Sequence, residues 1–112
     1  AKVLVVGWGS TFGPISAAAR RVRLSGRPVA TVHIRHLNPL PSDLGSILRA
    51  YDRVIVPEMN LGQLATMLRA KYLVDCESYS RVRGLPISLS ELAEDLITII
   101  DGKPMPDRKD GR

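Results

Sequence analysis

Cysteine is almost missing from this chain of 112 residues. There is one, Cys76, so no disulfide can close within it, and a reducing compartment is its natural setting. With an apolar neighbourhood in sequence, it reads as a small core residue rather than a nucleophile. Aromatic residues are scarce at 4%, so the core must be built from valine, isoleucine, leucine and alanine. No apolar run is long enough to cross a bilayer, and no signal peptide is recognisable, so a cytoplasmic location is expected. The first residue is Ala1 rather than methionine, and a strand-like run starts at once, which fits a piece of a longer polypeptide. The formal net charge is +5. The excess gathers in Arg20, Arg21, Arg23 and Arg27 and in Lys103, Arg108, Lys109 and Arg112. Neither a reading helix nor stacking aromatics accompany those clusters, so they read as a solvated helix face and a loose tail, not a nucleic-acid surface.

What is present is a regular alternation. Val3-Leu4-Val5-Val6 is continuous and apolar, the mark of a strand buried on both faces. Gly7 to Thr11 reads as a tight turn, with Ser10 or Thr11 able to cap the helix that follows and Pro14 in its first turn. Ile15, Ala18, Ala19 and Val22 share one helical face, and Gly26 ends that helix. A second strand spans Val29 to Ile34 and leads into the proline-stiffened run His36-Leu37-Asn38-Pro39-Leu40-Pro41. Leu44, Ile47, Leu48 and Tyr51 define a short helix, Arg53 to Val56 a third strand. Leu61, Leu64, Ala65, Leu68 and Tyr72 define a third helix. A less regular extended segment runs from about Leu73 to Val82. Ser88 and Glu91 offer a capping box to a last helix carrying Leu89, Leu92, Ala93, Leu96, Ile97 and Ile100.

Strand and helix thus alternate four times, which implies a three-layer α/β/α fold on a mostly parallel sheet. Right-handed crossovers reduce the topologies to a few, of which strand order 2-1-3-4 is expected. The chain would then reverse between strands 1 and 3 and open a crevice between the loops 7–13 and 57–63. Residues 1–100 are expected to form one domain, and the polar, proline-bearing residues 101–112 a disordered tail.

Three sets of residues could carry chemistry. The glycine run Gly7-Trp8-Gly9-Ser10-Thr11-Phe12-Gly13 is one residue longer than the dinucleotide fingerprint, and strand 2 ends in His33, Arg35 and His36 with no acid. A structural turn, with Ser10 and Thr11 bonded to free helix N–H groups, is favoured over an anion site at the helix start. His33 and His36 do not share a face on a strand, and no third ligand completes a metal site. Glu58 and Asn60 lie just past a buried strand. No second carboxylate, base or nucleophile–histidine pair accompanies them, so they suggest docking rather than catalysis. Glu58 is equally readable as a solvated acid or a partner for Arg35.

Several stretches resemble a known family. Val5 to Pro14, Arg35 to Pro41, Val56 to Leu64 and Leu68 to Asp75 are similar to the carboxy-terminal domain of the α subunit of 2-oxoglutarate:ferredoxin oxidoreductases. That domain is related to the C-terminal domain of transketolase. The likeness extends to about Ile100, and Glu58–Leu64 followed by Lys71–Asp75 is its most specific part. It implies a thiamine-diphosphate enzyme, with Mg2+ and an iron–sulfur cluster, that converts 2-oxoglutarate and CoA to succinyl-CoA and CO2 and reduces ferredoxin. Cys76 alone cannot hold such a cluster. The chain is therefore expected to be inactive by itself and to act in assembly, with the remaining α-subunit domains and the β subunit as partners. The expected contact residues are Ser10, Thr11, Arg35, His36, Asn38, Glu58 and Asn60. A stand-alone phosphate- or nucleotide-binding module, and the matching domain of another thiamine enzyme, are the competing readings. Related domains often carry one more edge strand before the first strand read here, whose loss would leave a sheet edge open.

Overall fold

A computed structural model describes residues 1–35, 42–58, 63–80 and 88–104. The elements follow the expected alternation: β1 (Val3–Trp8), α1 (Phe12–Leu24), β2 (Ala30–Ile34), α2 (Leu44–Arg49), β3 (Arg53–Glu58), α3 (Gln63–Tyr72), β4 (Cys76–Ser80) and α4 (Leu89–Ile100). The strands form one sheet in the order β2-β1-β3-β4. All its pairings are parallel. The anticipated strand order and the central place of β1 and β3 are both borne out.

The apolar runs explain why those two strands are central. Successive side chains alternate across a strand. Val3 and Val5 accordingly join Ile55 in the core shared with α1 and α4. Leu4 and Val6 join Val54 and Val56 in the core shared with α2 and α3. Each such aliphatic side chain stabilises the fold by about 1.5–3 kcal/mol when fully buried, so neither face of β1 tolerates a polar residue. The stripe Ile15, Ala18, Ala19 and Val22 seats α1 as its spacing requires. On α4, Leu92, Ala93 and Leu96 are buried as expected, together with Ile99 and the acid Asp95.

Four details differ from expectation. β3 runs past Val56 through Pro57 to Glu58. β2 begins at Ala30, because the carbonyl of Val29 accepts both Nε and Nη2 of Arg23, at 3.0 and 2.8 Å. β4 (Cys76–Ser80) starts three residues later than the expected Leu73, while residues 81 and 82 of the expected segment lie outside the described residues. Residues 101–104, expected to belong to a disordered tail, are held in place. Gly102, with φ +86°, and Lys103 turn back onto the Ile99 and Thr98 carbonyls, as in a Schellman motif. The Asp101 carboxylate takes Arg27 at 3.1 and 3.2 Å, and the Lys103 carbonyl takes Arg53 at 2.7 Å. Residues 105–112 lie outside the described residues.

Candidate functional site

The crevice follows from the sheet register. β1 stays paired with β2 as far as Trp8 opposite Ile34. Its ladder with β3 stops at Val5 opposite Ile55, whereas β3 stays paired with β4 through Glu58 opposite Ser80. Beyond Val5 the two central strands separate, and Pro57, which has no N–H to pair, falls in that stretch. The turn after β1 and the end of β3 at Glu58 border the opening, as the reversal of chain direction requires.

On the β1 side, two glycines act differently. Gly7 continues the strand, and a Cβ there would stand 2.9 Å from Ile15 Cδ1 and 3.2 Å from Phe12 Cδ1. Its missing side chain lets the start of α1 approach the strand. Gly9 takes φ +63°, which glycine adopts without strain, and opens the 3-10 turn Gly9–Thr11. Thr11 corrects the sequence reading. It is the N-cap of α1 but makes no side-chain cap bond. Its hydroxyl instead accepts the Trp8 N–H at 3.2 Å and donates to the Trp8 carbonyl at 2.8 Å, clamping the turn shut. Ser10 lies on that turn. Trp8 is left 43% exposed at the rim, although it is the only tryptophan of the chain. Beside it the Phe12 ring stacks on His33, with centroids 4.2 Å apart and planes 15° apart. His33 sits at the end of β2, and Arg35 is exposed one residue beyond Ile34.

On the β3 side stands Glu58, only 7% exposed. Its carboxylate accepts the backbone N–H of Leu64 at 2.6 Å through Oε1 and that of Ala65 at 3.3 Å through Oε2. Those donors belong to the first turn of α3, where N–H groups have no partner within the helix. Glu58 is thus neither a solvated acid nor an Arg35 partner: it closes the helix start from the preceding strand and counters its positive dipole end. Sequence reasoning placed Glu58 at the crevice but missed this role. The available signal was an acid at a strand end shortly before the apolar stripe of a helix, a place from which a carboxylate can meet the helix's first N–H groups. The expected contact residues His36, Asn38 and Asn60 lie outside the described residues.

These arrangements narrow the chemistry. The start of α3 is satisfied by an internal carboxylate. At the start of α1 the Phe12 N–H is turned onto the Gly9 carbonyl, and Pro14 has no N–H. Among the described residues, neither helix start presents the set of free donors that cradles a phosphate. Among the described residues, no group of three His, Cys, Asp or Glu side chains could hold a metal ion. Cys76 is buried, and desolvation pushes its thiol above the ordinary value, away from the thiolate that a cluster ligand must be. The residues present therefore do not fit an iron–sulfur cluster. Three of the four arginines of the first cluster are committed internally: Arg21 donates to Ser90 Oγ at 3.2 Å, Arg23 to the Val29 carbonyl and Arg27 to Asp101. Among the described residues no helix is long and apolar enough to cross a membrane.

The class defined by this fold and site is a parallel α/β domain with a crevice between its two central strands and, among the described residues there, no acid–base pair. Residues 1–92 match the family described as pyruvate:ferredoxin oxidoreductase core domain II, and the chain belongs to that family. It is 47% identical over 103 residues to the 2-oxoglutarate oxidoreductase subunit KorA of Mycobacterium tuberculosis, covering 92% of this chain and 16% of that protein. It is 36% identical over 105 residues to subunit alpha of 2-oxoacid:ferredoxin oxidoreductase 1 of Aeropyrum pernix, again 16% of that protein. Among solved structures it is similar to the 2-oxoglutarate:ferredoxin oxidoreductase of Magnetococcus marinus with 2-oxoglutarate, coenzyme A and succinyl-CoA bound. That similarity has a TM-score of 0.82 and 30% identity, over 89% of this chain and 18% of that one. The chain thus spans about a sixth of the length of the curated relatives it matches.

Proposed function

We propose that this chain is an assembly domain of the α subunit of a 2-oxoglutarate:ferredoxin oxidoreductase. The observation that carries the reading is the 47% identity, across nearly the whole chain, to a 2-oxoglutarate oxidoreductase subunit. The whole enzyme would convert 2-oxoglutarate and CoA to succinyl-CoA and CO2, and pass the two electrons released to ferredoxin. Thiamine diphosphate, Mg2+ and the iron–sulfur cluster would be held elsewhere in the α and β subunits. Residues 1–100 would form the domain, in the cytoplasm, and the crevice would receive a neighbouring domain or subunit. Ser10, Thr11, Arg35, His36, Asn38 and Asn60 would supply contacts there. Glu58 would contribute by fixing the start of α3, since its oxygens are already engaged.

Two measurements test this. The 112-residue chain, given 2-oxoglutarate, CoA, thiamine diphosphate and a viologen dye, should reduce no dye. The full-length α subunit with its β partner should reduce the dye with 2-oxoglutarate in preference to pyruvate. Turnover by the chain alone, or a preference for pyruvate, would overturn the reading. Titration calorimetry of the chain with CoA and with ATP separates the competing phosphate-binding module, which requires saturable heat in one of them.

A further inference from the structure

The turn after α3 holds the one non-glycine residue with a positive φ among the described residues: Leu73, at +55°. Its N–H donates to the Arg69 carbonyl at 2.9 Å. Leu73 therefore occupies the position just past a helix end where glycine is usual and asparagine next. In that region a Cβ crowds the following carbonyl, and leucine has no side-chain hydrogen bond to offset the crowding.

The surroundings over-determine this conformation. Tyr72 and Val74, on either side, both pack against the core shared with α2. Tyr72 lies so close to Gly45 of α2 that a Cβ on Gly45 would stand 2.8 Å from its Cδ1. Arg49 of α2 donates to the Tyr72 carbonyl at 3.1 Å. With both neighbours turned inward, the Leu73 side chain projects outward and is 89% exposed. Leu24, 80% exposed at the end of α1, is the useful contrast. It sits on ordinary helical backbone, and a lone exposed leucine needs no explanation. Only Leu73 combines an unfavourable backbone with an unfavourable exposure. Glycine or asparagine would relieve both in this chain by itself.

We propose that Leu73 is an anchor that enters an apolar pocket on another part of the same subunit polypeptide. The proposal rests on the reading of the chain as one domain of a longer α subunit. Length supports this occupant: the chain spans 16% of its M. tuberculosis relative and 18% of the M. marinus chain, so more than four-fifths of each is polypeptide available to supply such a pocket. A side chain held out on a locked turn loses little freedom on docking, which suits a permanent contact within one subunit. Arg69, Lys71 and Asp75 are exposed around it, and the two cations call for carboxylates at the pocket rim.

Leu73→Asn and Leu73→Met, each made in two settings, test the proposal. In the 112-residue chain, Leu73→Asn should raise Tm by about 2–4 °C, because asparagine tolerates the left-handed backbone. In the full-length α subunit with its β partner, the same change should lower Tm by about 3 °C or more, because a buried apolar contact is lost. Leu73→Met should stay within about 1 °C of wild type in the full-length subunit, since it keeps an apolar side chain of similar volume. A Tm for Leu73→Asn that is raised or unchanged in the full-length subunit overturns the proposal. So does a Leu73-dependent dimer of the 112-residue chain in sedimentation, which would make a second copy the occupant. Failure of the dye assay with the sign reversal intact would remove the proposed substrate and leave this contact standing.

Discussion

Replacing Glu58 with alanine removes the acceptor for two amide donors at the start of α3. Losing an N-cap costs about 0.5–2 kcal/mol in ordinary cases. Here the site is buried, so the Leu64 N–H, bonded at 2.6 Å, is left without water to replace the carboxylate. An orphaned buried donor costs about 1–3 kcal/mol. Loss of the charge near the helix dipole adds up to about 1 kcal/mol. Relief of the carboxylate's own desolvation offsets part of this, so the net loss is about 2–3 kcal/mol, or about 8–12 °C in Tm for a domain of this size. Glu58→Gln keeps one carbonyl oxygen for Leu64 but turns an NH2 toward the Ala65 N–H, and should cost about 1 kcal/mol. Glu58→Asp is one methylene shorter and should behave like alanine. Urea titration of the 112-residue chain followed by far-UV circular dichroism measures the series. Hydrogen exchange adds a local reading: the Leu64 and Ala65 amides should exchange faster in Glu58→Gln while Val5 stays protected. An alanine variant within about 0.5 kcal/mol of wild type, or glutamine costing as much as alanine, would refute the capping argument.

Three further outcomes are expected. Gly7→Ala should destabilise by about 1–3 kcal/mol, because the new Cβ meets Ile15 at 2.9 Å in a packed core. Gly13→Ala should change stability by less than about 0.5 kcal/mol, because the helix preference of alanine is offset by the crowding of a Cβ before Pro14 in helical backbone; equal effects in parallel urea titrations would refute the different roles given to these glycines. Arg53 pairs with Glu77 across β3 and β4, with side chains 24% and 27% exposed. A double-mutant cycle of Arg53→Met with Glu77→Gln should give a coupling of about 1–2 kcal/mol, and a coupling near zero would reduce the pair to a surface contact. Asp101 is held below its ordinary value of 3.8 first by its hydrogen bond from Arg27. A lowered folded-state value means that the pair stabilises the fold above that pH and stops doing so as the pH falls through the lowered value. Asp101→Asn should therefore melt below wild type at pH 7 and together with it in strong acid; a gap that persists there would contradict the assignment.

Features generated by periodicity were legible in the sequence. The apolar runs of β1 and β3, read as strands covered on both sides, led to the strand order and to the position of the crevice. The stripe Ile15, Ala18, Ala19 and Val22 oriented α1. Features that depend on where a distant side chain lands were not. Asp95 lies on the buried stripe between Leu92 and Ile99, where its carboxylate accepts the Tyr79 hydroxyl of β4 at 2.5 Å, a contact that no periodicity announces. The Arg53–Glu77 pair is diagonal across β3 and β4, since Glu77 stands opposite Ile55, two residues along the strand from Arg53, and that offset depends on the β3–β4 register. Pro57 argued for a strand end at Val56, and the structure continues because only the β4 side is paired there. Leu73 carried no signal at all, since nothing in composition marks a leucine for a positive φ.

The two ends of the sheet follow different electrostatic rules, and this bears on what the crevice can receive. In a doubly wound sheet the helix starts gather at the carboxyl ends of the strands, where unpaired N–H groups usually concentrate positive potential. Here Glu58 quenches the start of α3, and Ser88 accepts the Glu91 N–H at the start of α4. At the opposite end, arginines serve the carbonyl-rich helix ends: Arg49 reaches Tyr72, and Arg53 reaches Ile99 and Lys103. The excess of positive charge is thus partly spent on closing the amino-terminal side of the sheet. The described rim of the crevice carries Trp8, the Phe12–His33 stack and the clamped Thr11, with the exposed Arg35 beside them at the end of β2. An anion arriving there would meet the Arg35 guanidinium, while the start of α3 is already closed by Glu58. A neighbouring protein surface would meet an aromatic edge beside that cation, so planar and apolar contact adds there to charge.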